Sequence, residues 1–177
     1  SDEGLFDASY KKPLPAYPMY IALVTGNNTA AREDALITLK KRWPIAKLTE
    51  YPAPVQGMDA APKIIAALQA ADAGNHQVIM LVRGGGSIED LWCFNDRVVI
   101  EAIYNSSTPI ISAVGHETDY TLADYAADIR GATPSHAAEI AVLPLATLQQ
   151  NLQQKFDYIQ YVMSQTLQQK RIELSTI

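Results

Sequence analysis

Cysteine is almost absent. Cys93 stands alone among 177 residues, so no internal disulfide framework can staple the fold, and a reducing compartment is the natural setting. No run approaches the roughly 18 apolar residues that a membrane span needs. The opening Ser1-Asp2-Glu3-Gly4 has neither the basic nor the apolar region of a secretory leader, and the expectation is a cytoplasmic protein. A surplus of positive charge is missing as well. Fourteen Lys and Arg face nineteen Asp and Glu, a net charge of −5, whereas typical nucleic-acid binders carry a visible excess of cations. The deficit is uneven, because residues 1–50 hold seven basic and six acidic side chains and the remainder seven against thirteen. Any site for a polyanion must therefore be local. What remains, 48% apolar and 19% charged residues, is the composition of one ordinary globular domain.

Four short segments read as strands: Tyr20 to Val24, Lys47 to Tyr51, Val78 to Val82 and Ile110 to Val114. Three are near-continuous apolar runs, the pattern of parallel strands covered on both faces, and the mixed second one belongs at an edge. Between them, Ala31 to Arg42 aligns Ala31, Ala35, Leu39 and Arg42 with Ile37 nearby, and Ala60 to Ala73 carries Ile64, Ile65, Leu68 and Ala71 at helical spacing. Ile88 to Asn105 reads as one broken helix or two short ones, with Leu91, Trp92 and Phe94 as core. The expectation is a three-layer, Rossmann-like α/β domain with a mainly parallel sheet of about four strands joined by right-handed crossovers. From Leu145 onward, Leu145, Leu148, Leu152, Phe156, Ile159, Met163 and Leu167 are spaced 3, 4, 4, 3, 4, 4. Eleven residues per three turns describes a long apolar stripe with little supercoil, suited to pairing with a partner or to a coiled coil, the alternative being a terminal helix that folds back on its own core.

In an open parallel sheet ligands bind beyond the carboxyl ends of the strands, where loops and helix N-termini converge. The unusual sequence lies at those ends: Gly26-Asn27-Asn28-Thr29, Pro54-Val55-Gln56-Gly57, Arg83-Gly84-Gly85-Gly86-Ser87 and Gly115-His116-Glu117-Thr118-Asp119. Three consecutive glycines let backbone N–H groups approach an anion, and the arginine adds a fixed fork for phosphate oxygens. Neither a dinucleotide fingerprint nor a P-loop is formed: the residue after Gly84-x-Gly86-x-x is Glu89, and no Gly-Lys-Ser/Thr follows. His116 and Asp119, three apart, fit a proton-transfer group and the carboxylate that orients it. No zincin helix and no hydrolase elbow is present. Asp34 lies in the first helix, and Glu89 and Asp90 open the helix after the glycines, where carboxylates are also ordinary caps. Ser135 fits as the N-cap of a later helix that contains Glu139. Cys93 reads as a buried thiol, and His76 and His136 as surface residues.

Taken in chain order, Lys12-Pro13-Leu14-Pro15, Val24-Thr25, Tyr51-Pro52 with Val55-Gln56-Gly57, Arg83 through Trp92 with Phe94-Asn95, Ser112 through Asp119, Ala127 through Arg130, Thr133-Pro134-Ser135 and Ala137-Ala138-Glu139 resemble the exodeoxyribonuclease VII large-subunit family. The resemblance spans residues 4–142. It implies an OB-fold domain ahead of residues 1–16, which become a linker, a catalytic domain over 17–143, and at 144–177 the start of a coiled-coil region that binds several copies of a small helical subunit. The implied activity is hydrolysis of single-stranded DNA from either end to oligonucleotides. Arg83 and the glycine N–H groups then neutralise phosphate charge, His116 moves the proton, Asp119 orients it, and Asp34 positions water or a metal. Gly84, Gly85, Gly86, Ser87, Gln56, Asn95, Thr133 and Ser135 contact the substrate. Asp34, Glu89, Asp90 and Asp119 could hold Mg²⁺, although the resemblance implies an enzyme that need not depend on one. One departure stands out: Gly26 replaces the usual serine of the first loop, and Asn27, Asn28 or Thr29 would have to supply its hydrogen bonds. Two rival readings use the same residues, a non-catalytic phosphate- or nucleotide-binding module and an assembly scaffold built on the long helix.

Overall fold

A computed structural model describes residues 5–57, 59–85, 88–115 and 119–175, with the backbone alone at 88–89. It divides into two compact units, residues 1–143 and 144–177. The first is built in the order β1 (Tyr20–Thr25), α1 (Ala30–Arg42), β2 (Lys47–Pro52), α2 (Ala60–Ala73), β3 (Val78–Val82), a 3-10 helix (Ile88–Asn95), α3 (Arg97–Tyr104), β4 (Ile110–Ala113), α4 (Leu122–Ala126), β5 (Ile129–Arg130) and α5 (Pro134–Ala141). The second is the helix α6 (Leu145–Ser175).

The sheet has five strands rather than four, in the order β2-β1-β3-β4-β5, and every pairing is parallel. β5 carries no periodic signal because it is two residues long. It is held by pairing Ile129 with Ile111 and by the Asp128 carboxylate, which accepts the Ile110 N–H at 2.7 Å. The mixed strand β2 does lie at an edge, where Glu50 pairs with Arg32 of α1. Chain order reverses direction between β1 and β3, so α1 and α5 pack together on one face while α2, α3 and α4 cover the other. Period-two alternation divides each strand between the two layers. Ala22, Val24, Ile79, Leu81 and Ile110 join Ile64, Leu68, Phe94 and Val99 in one core. Ile21, Leu23, Met80 and Ile111 point to the opposite face, and all are fully buried.

Helix boundaries follow their caps. Thr29 opens α1 by accepting the Arg32 N–H, and Thr121 and Asp124 form a reciprocal capping box at α4. The cap of α5 is Thr133, not Ser135: the Thr133 hydroxyl accepts the His136 N–H at 3.0 Å and Pro134 takes the first helical turn, where its missing N–H costs nothing. Ile37 is also not core, being 64% exposed, because the stripe of α1 is narrow and consists of Ala31, Ala35 and Leu39.

Residues 5–12 are strapped to the domain. Leu5 and Phe6 pack on its core, Lys11 Nζ donates to the carbonyls of Tyr125 and Ala127, and Lys12 pairs with Asp128 at 3.2 Å. Helix α6 buries none of its residues, and Leu152, Phe156, Ile159, Met163 and Leu167 of its apolar stripe are exposed. Among the described residues no helix is long and apolar enough to cross a membrane.

Candidate active site

A sheet in which direction reverses between β1 and β3 opens a crevice beyond the carboxyl ends of those two strands. Because all five strands are parallel, the loops after β1, β2, β3 and β4 leave from one edge, as does the turn from β5 to Thr133 and Ser135. Gly86, Ser87 and His116 lie outside the described residues, and so does the Glu89 side chain.

Arg83 ends β3. Its N–H donates to the Ala113 carbonyl at 3.0 Å, which prolongs the ladder with β4. Its side chain is only 3% exposed, and Nη2 lies 3.3 Å from Asp90 Oδ2 of the 3-10 helix. That pair lacks hydrogen-bond alignment, so Nη2 is a buried donor without an accepting partner. A buried donor in that condition is costly unless a further ligand completes it. Leu91 and Phe94 anchor the 3-10 helix in the core, whereas Trp92, expected beside them, is 72% exposed. Burial pushes the Cys93 thiol up, against the opposing pull of nearby Arg83, so it stays protonated and a poor nucleophile at neutral pH.

Gly84 follows Arg83 and lies against the start of α1. A Cβ placed there would rest 3.4 Å from Ala31 Cβ, an ordinary contact, and its φ is not left-handed. Neither packing nor backbone conformation demands glycine at 84; what the missing side chain leaves open is approach to the backbone. Asp34 is exposed on α1, one turn beyond Ala31.

The loop after β4 is tighter. A Cβ on Gly115 would stand 1.7 Å from the Asp119 carbonyl oxygen and 3.4 Å from Asp124 Oδ2, an approach of Asp119 to position 115 that only glycine permits. Beneath it, buried Asp124 accepts the Ser112 hydroxyl at 2.6 Å and the Thr121 N–H and hydroxyl at 3.0 and 2.9 Å. Ser112 is thereby a support for this loop rather than a nucleophile. Asp119 is half-buried.

Asn95 uses its side-chain oxygen to accept the Leu122 N–H at 2.7 Å, tying the 3-10 helix to the start of α4. Gln56 is exposed and lines a cleft of about 530 Å³ shared with Asn27, Thr29 and Lys63. In the first loop, Thr29 donates to the Gly26 carbonyl at 3.2 Å while capping α1, so its hydroxyl is already engaged. A Cβ at Gly26 would come 3.0 Å from Thr29 Cγ2 and 3.3 Å from Val55 Cγ2; a serine there would require both neighbours to shift. Among the described residues no three His, Cys, Asp or Glu side chains gather closely enough to hold a metal ion. Asp90 faces Arg83.

His76 is half-buried rather than a surface residue: its Nε2 lies 2.9 Å from the Tyr51 hydroxyl, away from the crevice. His136 is exposed, as expected, and its Nδ1 accepts the Ala132 N–H at 3.1 Å. Sequence reasoning overlooked Lys63, Asp124 and the exposure of Trp92. Only Asp124 carried a signal, the Thr121-x-x-Asp124 capping pattern.

The model of the family described as exonuclease VII, large subunit, matches residues 5–177. The chain is 44% identical over 177 residues to the exodeoxyribonuclease 7 large subunit of Bacillus cytotoxicus, covering 99% of this chain and 39% of that protein. It is 49% identical over 154 residues to the protein of the same name from Geobacillus kaustophilus, covering 86% and 34%, and 46% identical over 175 residues to that from Staphylococcus saprophyticus, covering 99% and 39%. The chain thus spans about two fifths of the length of these curated relatives.

Proposed function

The chain belongs to the exonuclease VII large-subunit family, and from that premise we propose that it is the phosphodiester-cleaving part of an enzyme that degrades single-stranded DNA from either end to oligonucleotides. The observation that carries this reading is Arg83, a buried guanidinium at the end of β3 with an unsatisfied donor beside a loop that no packing constraint obliges to begin with glycine.

Hydrolysis needs a water oxygen bonded to phosphorus as the P–O bond to the leaving sugar oxygen breaks, charge neutralised on the phosphoryl oxygens, and a proton delivered to the leaving oxygen. Arg83 and the backbone N–H groups of Gly84, Gly85 and Gly86 take the charge. His116 supplies the proton and Asp119 orients its ring. Asp34 positions the attacking water. Ser87, Gln56, Thr133 and Ser135 contact the strand, and Asn95 contributes through its amide nitrogen, its oxygen being engaged with Leu122.

In the same proposal the open stripe of α6 begins a coiled-coil region that receives several copies of a small helical subunit, the enzyme is cytoplasmic, and a DNA-binding domain outside this chain compensates for its net charge of −5. The test is to assay end-labelled single-stranded DNA with the full-length, assembled enzyme carrying His116→Ala or Arg83→Ala. Each variant should fold and assemble but cleave more slowly by about a thousandfold or more. Cleavage near the parent rate by either one refutes the assignment. Saturable nucleotide binding without turnover by the parent itself would favour a binding module instead.

A further inference from the structure

Trp92 sits between two buried anchors, Leu91 and Phe94, yet 72% of it faces solvent. Tryptophan is usually mostly buried, so the fold gains little from this one and holds it out at a cost. Its surroundings are specific. In a 3-10 helix side chains three apart eclipse one another, so Trp92 shares a face with Asn95, whose side-chain oxygen is bonded to the Leu122 N–H at 2.7 Å. That face therefore leads to the start of α4. There Tyr120 and Tyr125, 54% and 51% exposed, stack with ring centroids 5.6 Å apart and an interplanar angle of 30°. The Arg130 guanidinium lies 3.9 Å above the Tyr120 ring. The strip joins the proposed phosphate site at both ends: Asp90, two residues before Trp92, pairs with Arg83, and Tyr120 follows Asp119.

We propose that Trp92, bordered by the Tyr120–Tyr125 pair, is a platform on which a base of the single strand stacks beside the phosphate being cleaved. The inference rests on the nuclease reading and specifies how that site holds its substrate. The chemistry favours a base over other occupants. An unpaired base offers a π face whatever its identity, so stacking gives affinity without sequence preference. Here a broad positive field is missing, since the chain carries a net charge of −5, and the Arg130 guanidinium in the strip sits over the Tyr120 ring. Paired bases in a duplex present no free faces, which makes such a platform selective for single strands.

The test uses the full-length assembled enzyme with Trp92→Phe, which keeps a π face, and Trp92→Leu, which keeps apolar bulk without one. KM is measured on an oligodeoxynucleotide and on a strand of equal length in which a run of units is abasic. Trp92→Leu should raise KM for the base-bearing strand roughly five- to hundredfold, the scale of losing one stacked base. The parent's preference for base-bearing over abasic strand should shrink toward unity in Trp92→Leu and survive largely in Trp92→Phe. Equal behaviour of the two variants, an unchanged preference, or failure of either to assemble with its subunits would overturn the platform, the last by showing that protein covers Trp92. Absence of any cleavage by the parent is a different result: it removes the nuclease reading, and the platform with it.

Discussion

Arg83 Nη2 and Asp90 Oδ2 stand 3.3 Å apart, an ion pair that orients the guanidinium without saturating it. Asp90 then acts through Arg83, and its removal should matter only while Arg83 is present. Arg83→Ala should lower kcat/KM by about a thousandfold or more, in line with the loss of a preorganised cation at a phosphoryl group. Arg83→Lys keeps the charge but not the planar fork and should recover only part of it. Asp90→Asn should cost roughly tenfold, and the double variant Arg83→Ala/Asp90→Asn should be no slower than Arg83→Ala alone, because groups acting as one unit are not additive. Steady-state kinetics on single-stranded DNA decide this; additive losses would separate the two residues.

Gly84 and Gly115 should respond oppositely to alanine. At Gly84 the new methyl meets Ala31 at an ordinary 3.4 Å, so stability should hold or rise by about 0.5 kcal/mol as the unfolded chain loses freedom. Cleavage should nevertheless fall, because the methyl stands where a phosphate would approach the backbone. At Gly115 the methyl would lie 1.7 Å from the Asp119 carbonyl, so Asp119 must move away, costing about 2 kcal/mol or more. Thermal melts together with cleavage assays read both effects.

Asp124 ties the end of β4 to the start of α4. Asp124→Ala would leave the Ser112 hydroxyl and the Thr121 N–H and hydroxyl without their acceptor inside the core, a loss of about 2–4 kcal/mol for several stranded buried groups. Ser112→Ala removes one donor and leaves the carboxylate two others, and should cost about 1 kcal/mol. Denaturant unfolding of the two variants measures the difference, and a larger loss in Ser112→Ala would contradict this hierarchy.

The long apolar runs were legible because burial on both faces leaves a strand little compositional freedom: Val78–Val82 and Ala60–Ala73 coincide with β3 and α2 to the residue. β5 was not, since a two-residue strand bounded by Asp128 and Gly131 owes its place to hydrogen bonds that no periodicity encodes. Trp92 shows the limit of hydrophobicity as a guide. Residue type alone cannot separate a ring that fills a core from one held out beside a crevice, and only the three-residue period of the helix after the glycines turns Leu91 and Phe94 inward and leaves Trp92 outside. At the crevice, Arg83 and Gly84 could be read from their residue types. The pairing of Arg83 with Asp90 and the engagement of Asn95 with Leu122 could not, because both depend on where a short helix lands after its loop.

Acid should unfold this domain partly through Asp72, which lies in the last turn of α2 and accepts hydrogen bonds from Ser107 and Thr108 ahead of β4. Burial pushes its carboxyl up, but hydrogen bonds from Thr108 and from the backbone and side chain of Ser107 outweigh that and hold the pKa at about 2, below its ordinary 3.8. The unfolded chain therefore binds the proton more readily than the folded one, and stability rises with pH across this interval. The contribution is complete above pH 4 and is lost as pH falls through about 2. It should amount to about 1 kcal/mol, because a partly exposed carboxylate is screened by solvent. His76 acts in the same direction at higher pH. Burial lowers its pKa from 6.5, so below that value the unfolded chain takes up a proton that the folded chain resists. Asp72→Asn should flatten the stability profile between pH 4 and 2 while leaving the slope near pH 6, and His76→Gln should do the reverse. Urea unfolding at a series of pH values would show this, and a profile unchanged by Asp72→Asn would mean that the loop at Ser107 and Thr108 does not depend on the carboxylate's charge.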